Sequence, residues 1–390
     1  MTAPSGNSNY PTAYRIGCGR IRELAAACAE LGFSRPFVVT DPGVAALPWF
    51  QPKIVAPLAA AGLEPVVWHD VDPNPTEANV DAGVAAFRAG DHDGIVLVGG
   101  GSALDAGKTI ALLARNPGTV FDYEDIGDNW KRADPAKIVR SIAVPTTAGT
   151  GSEVGRASVI VDPRDHGKKI VFHAKMQPAL VIADPELTFG LPPRMTAATG
   201  MDALAHCFEA YCAPGYHPMA DGIALEGMRL IHENLRTAFA SGSDPVARTH
   251  MLMASAMGAT AFQKGLGLVH ALSHPLGGAT GLHHGTANAI FLPYVMVHNR
   301  ALIEGKMTRL TGYLGLANPS FATALQWMLD LRRDLGLPHT LAETKGVDEA
   351  LLQRLVPLAA ADPSMGGNPK PLTNTEIESV FVKALRGDLT

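Results

Sequence analysis

Two pairs of residues in the second half of the chain have the types and spacing of metal ligands. Asp202 and His206 are four residues apart in TGMDALAHCFEAY, so on a helix they would share one face. His270 and His274 are also four apart, in GLGLVHALSHPLGG, and His284 follows in GLHHGTANA. Imidazole together with carboxylate suits Fe(II), Zn(II) or Mn(II) rather than calcium or magnesium. A single histidine on an apolar helix is usually an ordinary core or surface residue, but the two pairs together favour a transition-metal site.

The turn GGGS at 99–102 has the composition of a phosphate-binding turn. It directly follows the apolar run IVLV and opens the helical stretch ALDAGKTIALLA. Without Cβ atoms the backbone can approach a phosphate closely, and a helix N-terminus adds unpaired N–H groups and a partial positive charge. The alternative is a tight strand-to-helix connection without a ligand, since the turn does not match the G-x-G-x-x-G fingerprint.

A second polar loop, PTTAGTGSE at 145–153, also follows an apolar run, and its hydroxyls and amides suit a ribose and a phosphate. Open α/β sheets bind ligands at the carboxyl ends of their parallel strands, so two such loops indicate a nucleotide. Asp41 ends the run FVVT and could accept hydrogen bonds from the adenosine ribose, which would favour NAD over NADP. The alternative for Asp41 is a turn-capping role before Pro42 and Gly43.

The elements that must position these residues change in character near residue 190. Before it, short apolar runs predict strands at 36–40, 64–70, 93–101, 141–147, 158–162 and 179–185. Alanine-rich segments between the earlier runs predict helices at 20–32, 44–62, 76–90 and 103–115. Beyond it the sequence predicts only helices, at 196–212, 218–240, 244–264, 266–277, 284–300, 302–314, 318–335, 348–360 and 374–386.

This pattern predicts two domains. Apolar strands alternating with helices indicate a Rossmann-like parallel sheet, so we expect a dinucleotide-binding α/β domain at 1–190. An all-helical, metal-binding domain would follow at 191–390. We expect the active site in the cleft between them, because ligands bind preferentially at domain interfaces.

The composition excludes several classes of protein. The net charge of −5 leaves no excess of basic residues for a phosphate backbone, so no nucleic-acid partner is expected. No apolar run is long enough to span a membrane, and the N-terminus lacks the order of a signal peptide. Four cysteines in 390 residues do not form a disulfide framework. A cytoplasmic protein with reduced thiols is therefore expected.

Six segments stand in an order and at a spacing that resemble a known family. They are GGGSALDAGK, PTTAGTGSEV, DPEL, TGMDALAHCFEAY, GLGLVHALSHPLGG and HHGTANAIFLP. Together they resemble the iron-dependent (group III) alcohol dehydrogenases, from about residue 12 to residue 386. The resemblance implies an NAD-dependent oxidoreductase that transfers a hydride reversibly between NAD and a short primary alcohol or its aldehyde.

The resemblance also assigns residues to the two sites. It makes Asp202, His206, His270 and His284 the ligands of a divalent metal, with Fe(II) expected and Zn(II) as the alternative. It places His274 near the nicotinamide and the substrate, as a catalytic proton relay or as a hydrogen-bond partner. The positions that match the family around NAD are Asp41, Asn74, Gly100, Gly101, Ser102, Asp105, Thr146, Thr147, Lys169 and Leu187.

Three departures from the family pattern concern the substrate. Gly155 stands where the family usually has a threonine, and Arg156 follows in place of an uncharged residue. The segment AFQKGLGLVH is one residue short and carries Lys264, so Phe262 need not occupy the place of the family's substrate-facing aromatic residue. Arg156 and Lys264 could hold a carboxylate. In these segments the chain resembles the branch of the family that acts on ω-hydroxy acids such as 4-hydroxybutyrate. The alternative is that both are solvated surface charges.

Other interpretations of the same pattern remain open. An enzyme like glycerol dehydrogenase or dehydroquinate synthase shares the two-domain plan, with NAD and a metal. A nucleotide-binding module without catalysis is a third reading, but it would not need four convergent metal ligands. The expected partner is a small alcohol or aldehyde, and a homodimer is expected because two-fold dimers are the commonest closed oligomers.

Overall fold

The computed structural model describes residues 6–8, 12–164 and 167–390 of the chain. The chain divides into two compact units. The first unit comprises Met1–Thr147 and Gly151–Gly190, and the second comprises Ala148–Thr150 and Leu191–Thr390. The predicted fold class, an α/β part followed by a helical part, is confirmed.

The first unit is built on one seven-stranded sheet with the order β1-β2-β9-β6-β5-β3-β4. Neighbouring strands are parallel except β1, which runs antiparallel to β2. The sheet strands are β1 (Gly6–Ser8), β2 (Ala13–Ile16), β3 (Pro36–Val39), β4 (Val66–Trp68), β5 (Gly94–Gly99), β6 (Ser141–Pro145) and β9 (Leu180–Ala183). Two further strands, β7 (Ala157–Val161) and β8 (Lys168–Phe172), form a separate antiparallel ribbon.

Helices connect the strands of the first unit. They are α1 (Leu24–Glu30), α2 (Pro42–Ala45), α3 (Ala56–Ala60), α4 (Glu77–Ala89) and α5 (Gly101–Leu113). Every residue of β3, β5, β6 and β9 is buried, as the continuous apolar runs predict for a parallel sheet packed on both faces. From β3 the chain continues to β4 on one side, and from β5 it continues to β6 on the other. The carboxyl ends of β3 and β5 therefore form a topological switch point, where such sheets bind ligands.

The structure corrects the prediction that the apolar run at 158–162 belongs to the parallel sheet. It forms β7 of the antiparallel ribbon, and its residues are buried alternately because only one face packs against the unit. The sequence reasoning also missed β2 and β8. Both are short and contain charged residues, so neither stands out as an apolar run.

The second unit contains only helices among its described residues. They are α6 (Pro193–Cys212), α7 (Pro218–Ala240), α8 (Pro245–Ala261), α9 (Leu268–Thr280), α10 (His284–Tyr313), α11 (Phe321–Asp334), α12 (Glu349–Ala361) and α13 (Asn374–Arg386). The predicted helices at 284–300 and 302–314 are one helix, because no glycine or proline interrupts the junction between them. None of the helices in the described ranges has both the length and the apolar character needed to cross a bilayer.

A buried arginine supports α10 at its proline. Pro293 lies inside the helix and has no N–H to donate to the carbonyl of Ala289. Arg332 on α11 is 1% exposed, and its Nη1 donates to the carbonyl oxygens of Ala289, at 3.4 Å, and Ile290, at 3.1 Å. Its Nη2 donates to His339 Nδ1. Arg332 thereby satisfies a carbonyl that the helix itself leaves unpaired.

A buried carboxyl group lies at the end of the loop that follows β6. Glu153 is 1% exposed, and its Oε1 has no hydrogen-bond partner among the described residues. The nearby ammonium group of Lys108 donates to the carbonyl of Ser152 at 3.1 Å and pairs with Asp105 at 3.3 Å. Burial raises the pKa of Glu153 to about 7, although the charge of Lys108 acts in the opposite direction.

We expect Arg332→Met to lower the free energy of unfolding by about 2 kcal/mol, because it leaves buried carbonyls without donors. Urea unfolding followed by circular dichroism measures this change. The control is Arg333→Met, since the ion pairs of Arg333 with Asp330 and Asp334 lie at the surface and their loss should have little effect. Equal stability of the Arg332 variant and the parent would contradict this role.

We expect Glu153→Gln to stabilise the protein above neutral pH. The folded-state pKa of about 7 lies above the ordinary value of 4.5, so the folded protein binds more protons and the parent loses stability as pH rises between these values. Glutamine cannot ionise, so Glu153→Gln avoids this loss of folding free energy, which approaches about 3 kcal/mol for a pKa shift of this size. Urea unfolding at pH 5 and pH 8 tests it, with Glu64→Gln at an exposed site as the control. A difference from the parent that does not change with pH would contradict the prediction.

Candidate metal and cofactor sites

Helix α6 presents a row of polar side chains within the helical unit. Three polar residues of this row are buried among mainly apolar neighbours, and they are Asp202, His206 and Glu209. Their spacing of four and three residues places them on one face. Buried charged groups need partners, so this face must be met by complementary groups from other helices.

The structure brings the four predicted ligands together in the second unit. Asp202 Oδ1 lies 3.9 Å from His206 Nε2, 3.8 Å from His270 Nε2 and 3.4 Å from His284 Nε2. Four ligands at about 2.1 Å from a tetrahedral ion would lie about 3.4 Å from one another. The observed separations and the set of one carboxylate and three imidazoles therefore fit a divalent transition metal.

Glycines allow the helices to approach closely enough for this convergence. A Cβ on Gly285, the residue after His284, would collide with the carbonyl oxygen of Ala198 on α6. A Cβ on Gly258 of α8 would lie 3.0 Å from the Cβ of His206. Around the sequence GLGLVH, a Cβ on Gly267 would lie 3.0 Å from Glu209 Oε1. At these positions the glycines allow close packing.

Glu209 orients His270. One carboxylate oxygen of Glu209 accepts from His270 Nδ1, and the other accepts from the backbone N–H of Val269 at 2.6 Å. This leaves Nε2 of His270 facing Asp202, which is the arrangement by which a carboxylate fixes a metal-binding histidine. Burial lowers the pKa of His270, but Glu209 and Asp202 outweigh it and raise that pKa to about 9.

The charges of the cluster favour an ionised Asp202 and a neutral His206. Burial alone would raise the pKa of Asp202, but the neighbouring imidazoles of His206, His284 and His270 hold it well below its usual value. Burial lowers the pKa of His206 to about 4. A carboxylate and a neutral imidazole are the protonation states that bind a metal ion.

His274 lies beside the cluster rather than within it. Its ring stacks on that of His284, with centroids 5.2 Å apart, and its Nδ1 donates to Asp362 Oδ2 at 2.8 Å. The other oxygen of Asp362 accepts from the backbone N–H of Ser364 at 2.8 Å, so the carboxylate is fixed. Asp362 therefore selects the orientation of the His274 ring and leaves Nε2 available.

Sequence reasoning missed Glu209, Asn288 and Asp362. Glu209 and Asn288 carried a usable signal, since they follow His206 by three residues and His284 by four, on the same helix faces. Asn288 Nδ2 lies 2.8 Å from Asp202 Oδ1 and 3.1 Å from His284 Nε2. Asp362 carried no such signal, because it is 88 positions from His274.

Phe262 lies against the proposed ligands, whereas Lys264 pairs with a carboxylate of another helix. The ring of Phe262 is 5.2 Å from that of His206, so this aromatic side chain lies against the metal cluster. The side chain of Lys264 is 3% exposed and pairs with Asp221 Oδ1 at 2.5 Å. It also approaches the carbonyl of Tyr211 near the C-terminus of α6, at 3.5 Å, where a cation is favourable.

In the first unit, the predicted cofactor residues after β3, β5 and β6 lie side by side at one edge of the sheet. Thr146 N donates to the carbonyl of Gly99 at 3.0 Å. A Cβ on Gly99 would lie 3.4 Å from Asp41 Oδ2, and one on Gly100 would lie 3.3 Å from Thr147 Oγ1. Among the described residues no side chain caps the first turn of α5, so its amides remain open to an anion.

Two further cofactor candidates are tied to this edge by hydrogen bonds. Ser102 Oγ donates to the carbonyl of Pro73 at 2.6 Å, which brings the loop with the exposed Asn74 to the start of α5. Asp105 accepts from Ser152 Oγ at 2.5 Å and from the amide of Val159 at 3.0 Å. The carboxylate of Asp105 thus joins the polar loop and β7 to α5. Asp41 also accepts from the amide of Val44 at 2.9 Å, the turn-capping contact expected as its alternative role.

Three candidates of the first unit remain. Leu187 follows β9 and is buried in a hydrophobic core cluster. Lys169 on β8 pairs with Asp162 Oδ2 at 2.5 Å. The guanidinium of Arg156 is exposed and lies 5.8 Å from the centre of the Phe172 ring.

Comparisons with known proteins agree with both halves of the chain. Residues 11–185 match the family model "iron-containing alcohol dehydrogenase", and residues 196–385 match "Fe-containing alcohol dehydrogenase family, C-terminal". The 4-hydroxybutyrate dehydrogenase of Cupriavidus necator is 42% identical over 96% of this chain and 99% of its own length. Alcohol dehydrogenase 4 of Saccharomyces cerevisiae (strain YJM789) is 35% identical over 95% of this chain and 96% of its own.

Solved structures share the whole fold. A 1,3-propanediol oxidoreductase superposes with a TM-score of 0.89 at 33% identity, covering 99% of this chain and all of its own. A sulfoacetaldehyde reductase from Bifidobacterium kashiwanohense, solved in complex with NAD⁺, superposes with a TM-score of 0.86 at 28% identity over the full length of both chains.

Fold and site together define a metal-dependent alcohol oxidoreductase that uses NAD. More particularly, the chain belongs to the iron-containing alcohol dehydrogenase family. The predicted resemblance is therefore confirmed.

Proposed function

We propose that the protein interconverts short ω-hydroxy acids, with 4-hydroxybutyrate as the leading candidate, and their semialdehydes. The observation that carries the catalytic part is the convergence of one carboxylate and three imidazoles in the second unit. The substrate class is supported by the 42% identity to a 4-hydroxybutyrate dehydrogenase and by Arg156, a cation at a position where the family resemblance implies an uncharged residue.

In this proposal Asp202, His206, His270 and His284 hold the divalent ion, with Fe(II) as the expected metal. When bound, the ion supplies Lewis-acid polarisation of the substrate oxygen, and NAD supplies the hydride acceptor. Glu209 keeps His270 in the tautomer that binds metal. His274 Nε2 exchanges the hydroxyl proton, while Asp362 holds the ring from Nδ1.

We assign NAD binding to the α/β domain at 1–190 and metal binding to the helical domain at 191–390. The glycine turn, Thr146 and Thr147 would face the phosphates and ribose, with Asp41 at the adenosine ribose. The adjacency of these residues at the carboxyl ends of β3, β5 and β6 supports this assignment. The same proposal includes contacts with NAD by four further residues, which are Asn74, Asp105, Lys169 and Leu187.

For the substrate carboxylate, Arg156 is the stronger of the two cations. Lys264 is already neutralised by Asp221 at 2.5 Å and is nearly inaccessible. Arg156 keeps an exposed guanidinium, which can bind a carboxylate through two parallel hydrogen bonds. Phe262, beside His206, would cover the apolar part of the substrate.

The assembly and location of the protein are also proposals. A homodimer is favoured by the general frequency of two-fold assemblies. A cytoplasmic location is supported by four free cysteines, three of them buried, which need no oxidising compartment.

Asp202→Asn is expected to weaken metal binding by more than the roughly 10–100-fold that follows the loss of an outer-shell partner, because it removes the charged ligand itself. Competition with a chelator, using purified protein and Zn²⁺, measures the dissociation constant. The matched control is Glu233→Gln, which removes an exposed carboxylate of the same unit. Unchanged zinc affinity in Asp202→Asn would refute the ligand set.

Arg156→Gln is expected to lower kcat/KM for 4-hydroxybutyrate by about 10- to 100-fold, the size of one or two charge-assisted hydrogen bonds. The value for 1-butanol should change little, since butanol has no carboxylate. Lys175→Gln, which removes another cation of the first unit, serves as the control. An equal loss with both substrates, or no loss with the acid, would show that Arg156 does not select the substrate.

A further inference from the structure

Lys108 is a buried cation on the helix that opens with the glycine turn. It lies seven residues after Gly101, the first residue of α5, which is about 10 Å along the helix axis. Its side chain has no exposed surface, so it is not accessible to a ligand at the start of the helix. A buried ammonium group is costly unless acceptors surround it, so the role of Lys108 must be sought in its protein partners.

Three acceptors surround the ammonium group. Nζ donates to the carbonyl of Ser152 at 3.1 Å and to the carbonyl of Ala157, and it pairs with Asp105 Oδ1 at 3.3 Å. Asp105 in turn accepts from Ser152 Oγ at 2.5 Å and from the amide of Val159 at 3.0 Å. The ion pair of α5 thus holds the end of the polar loop 145–153 and the start of the antiparallel ribbon through four hydrogen bonds.

These bonds use the edge of β7 that faces away from β8. Across the ribbon, the amide of His173 donates to the carbonyl of Arg156 at 3.2 Å. Ladder bonds alternate along each strand of an antiparallel pair, so the carbonyl of Ala157 and the amide of Val159 point away from β8. The ion pair of α5 supplies the donor and the acceptor that a further strand would otherwise provide.

The start of the polar loop is fastened to the same strand and helix. The amide of Thr146 donates to the carbonyl of Gly99, the last residue of β5. A Cβ on Gly100 would lie 3.3 Å from Thr147 Oγ1, so the loop passes directly beside the glycine turn. Both ends of the loop are therefore held to β5 and α5, the first by a backbone hydrogen bond and the second by side chains of α5.

We infer that Lys108 is a positioning residue for NAD, which holds the polar loop and the ribbon at the distance from the glycine turn that the dinucleotide requires. The inference rests on the assignment of NAD to this edge of the sheet under the proposed function. In this role Lys108 does not touch the cofactor. It orders the loop before NAD arrives, so that binding does not have to supply the free energy of ordering it.

The size of the effect follows from the bonds that each substitution removes. Lys108→Met keeps the length of the side chain but removes both bonds to backbone carbonyls. Hydrogen bonds to charged groups are the strong class, and losing the order that one of them imposes corresponds to about 10- to 100-fold in the dissociation constant for NADH. Ser152→Ala removes only the hydroxyl that donates to Asp105, and we expect about 3- to 10-fold.

The test uses the full-length, Zn²⁺-loaded chain with NADH as the probe. Fluorescence titration, well below the thermal midpoints, gives the NADH dissociation constants of the parent, Lys108→Met and Ser152→Ala, and chelator competition gives those for Zn²⁺. The control is Arg88→Met. Arg88 also holds backbone carbonyls of α5, those of Leu113 at 3.0 Å and Ala114 at 2.9 Å, but at the end of the helix away from the glycine turn.

We expect NADH to bind about 10- to 100-fold more weakly to Lys108→Met, whereas Zn²⁺ binds as it does to the parent. The KM for NAD should rise by a similar factor, while kcat at saturating NAD changes little, because the bound cofactor orders the loop. Arg88→Met should lose stability and keep the NADH affinity of the parent. If Lys108→Met does not fold, Ser152→Ala carries the test.

The NADH affinity of the parent in a folded Lys108→Met would overturn the inference, as it would in Ser152→Ala if only that variant folds. An equal loss of NADH affinity in Arg88→Met would also overturn it, because the loss would then follow from general destabilisation.

Failure of the NAD assignment is separately visible in Gly100→Val, which adds a side chain beside the glycine turn. If this variant binds NADH like the parent, the cofactor does not lie at this edge and the assignment under the proposed function is wrong. If Gly100→Val loses NADH while Lys108→Met retains it, only the role of Lys108 is wrong.

Discussion

One carboxylate and three imidazoles that could bind a metal ion are held close together within the helical unit, and the packing of that unit meets this constraint. The carboxylate of Asp202 lies between 3.4 and 3.9 Å from three imidazole nitrogens. The imidazoles favour the ionised form of this buried carboxylate, which burial alone would disfavour. Gly285 and Gly258 permit these helix contacts, because a Cβ at Gly285 would collide with the carbonyl of Ala198 and one at Gly258 would crowd the Cβ of His206.

The groups around the ligands hold the imidazoles in place without occupying the site. Glu209 accepts a hydrogen bond from Nδ1 of His270, so the second carboxylate of the cluster lies behind that histidine rather than beside Asp202. Asp362 does the same for His274. Each carboxylate also accepts a backbone N–H, so its position is fixed by the fold and not by the imidazole alone. The rotation of both rings is therefore set before any ion or substrate is bound.

The sequence predicted what depends on local spacing and missed what depends on distant contacts. Asp202 with His206 could be recognised because four residues on a helix define one face. The apolar runs likewise predicted the buried parallel strands, whereas β2 and β8, short and partly charged, gave no comparable pattern. Asp362 could not be found, since only the folded chain brings it to His274. For Lys264 the sequence suggested a cation that could bind the substrate. In the folded chain its ammonium group pairs with Asp221 on another helix, a contact that the sequence did not reveal.

The different fates of Arg156 and Lys264 indicate where specificity can change in this fold. The ammonium group of Lys264 reaches the C-terminal end of α6, the helix that carries two of the proposed ligands, where it contacts Asp221 and the carbonyl of Tyr211. Replacing Lys264 would remove this largely buried ion pair. Arg156 immediately precedes β7 of the antiparallel ribbon, and its exposed guanidinium lies over the ring of Phe172. Under the proposed function, a change of charge at this exposed position would alter substrate preference without requiring a change in the sheet or the ligand helices.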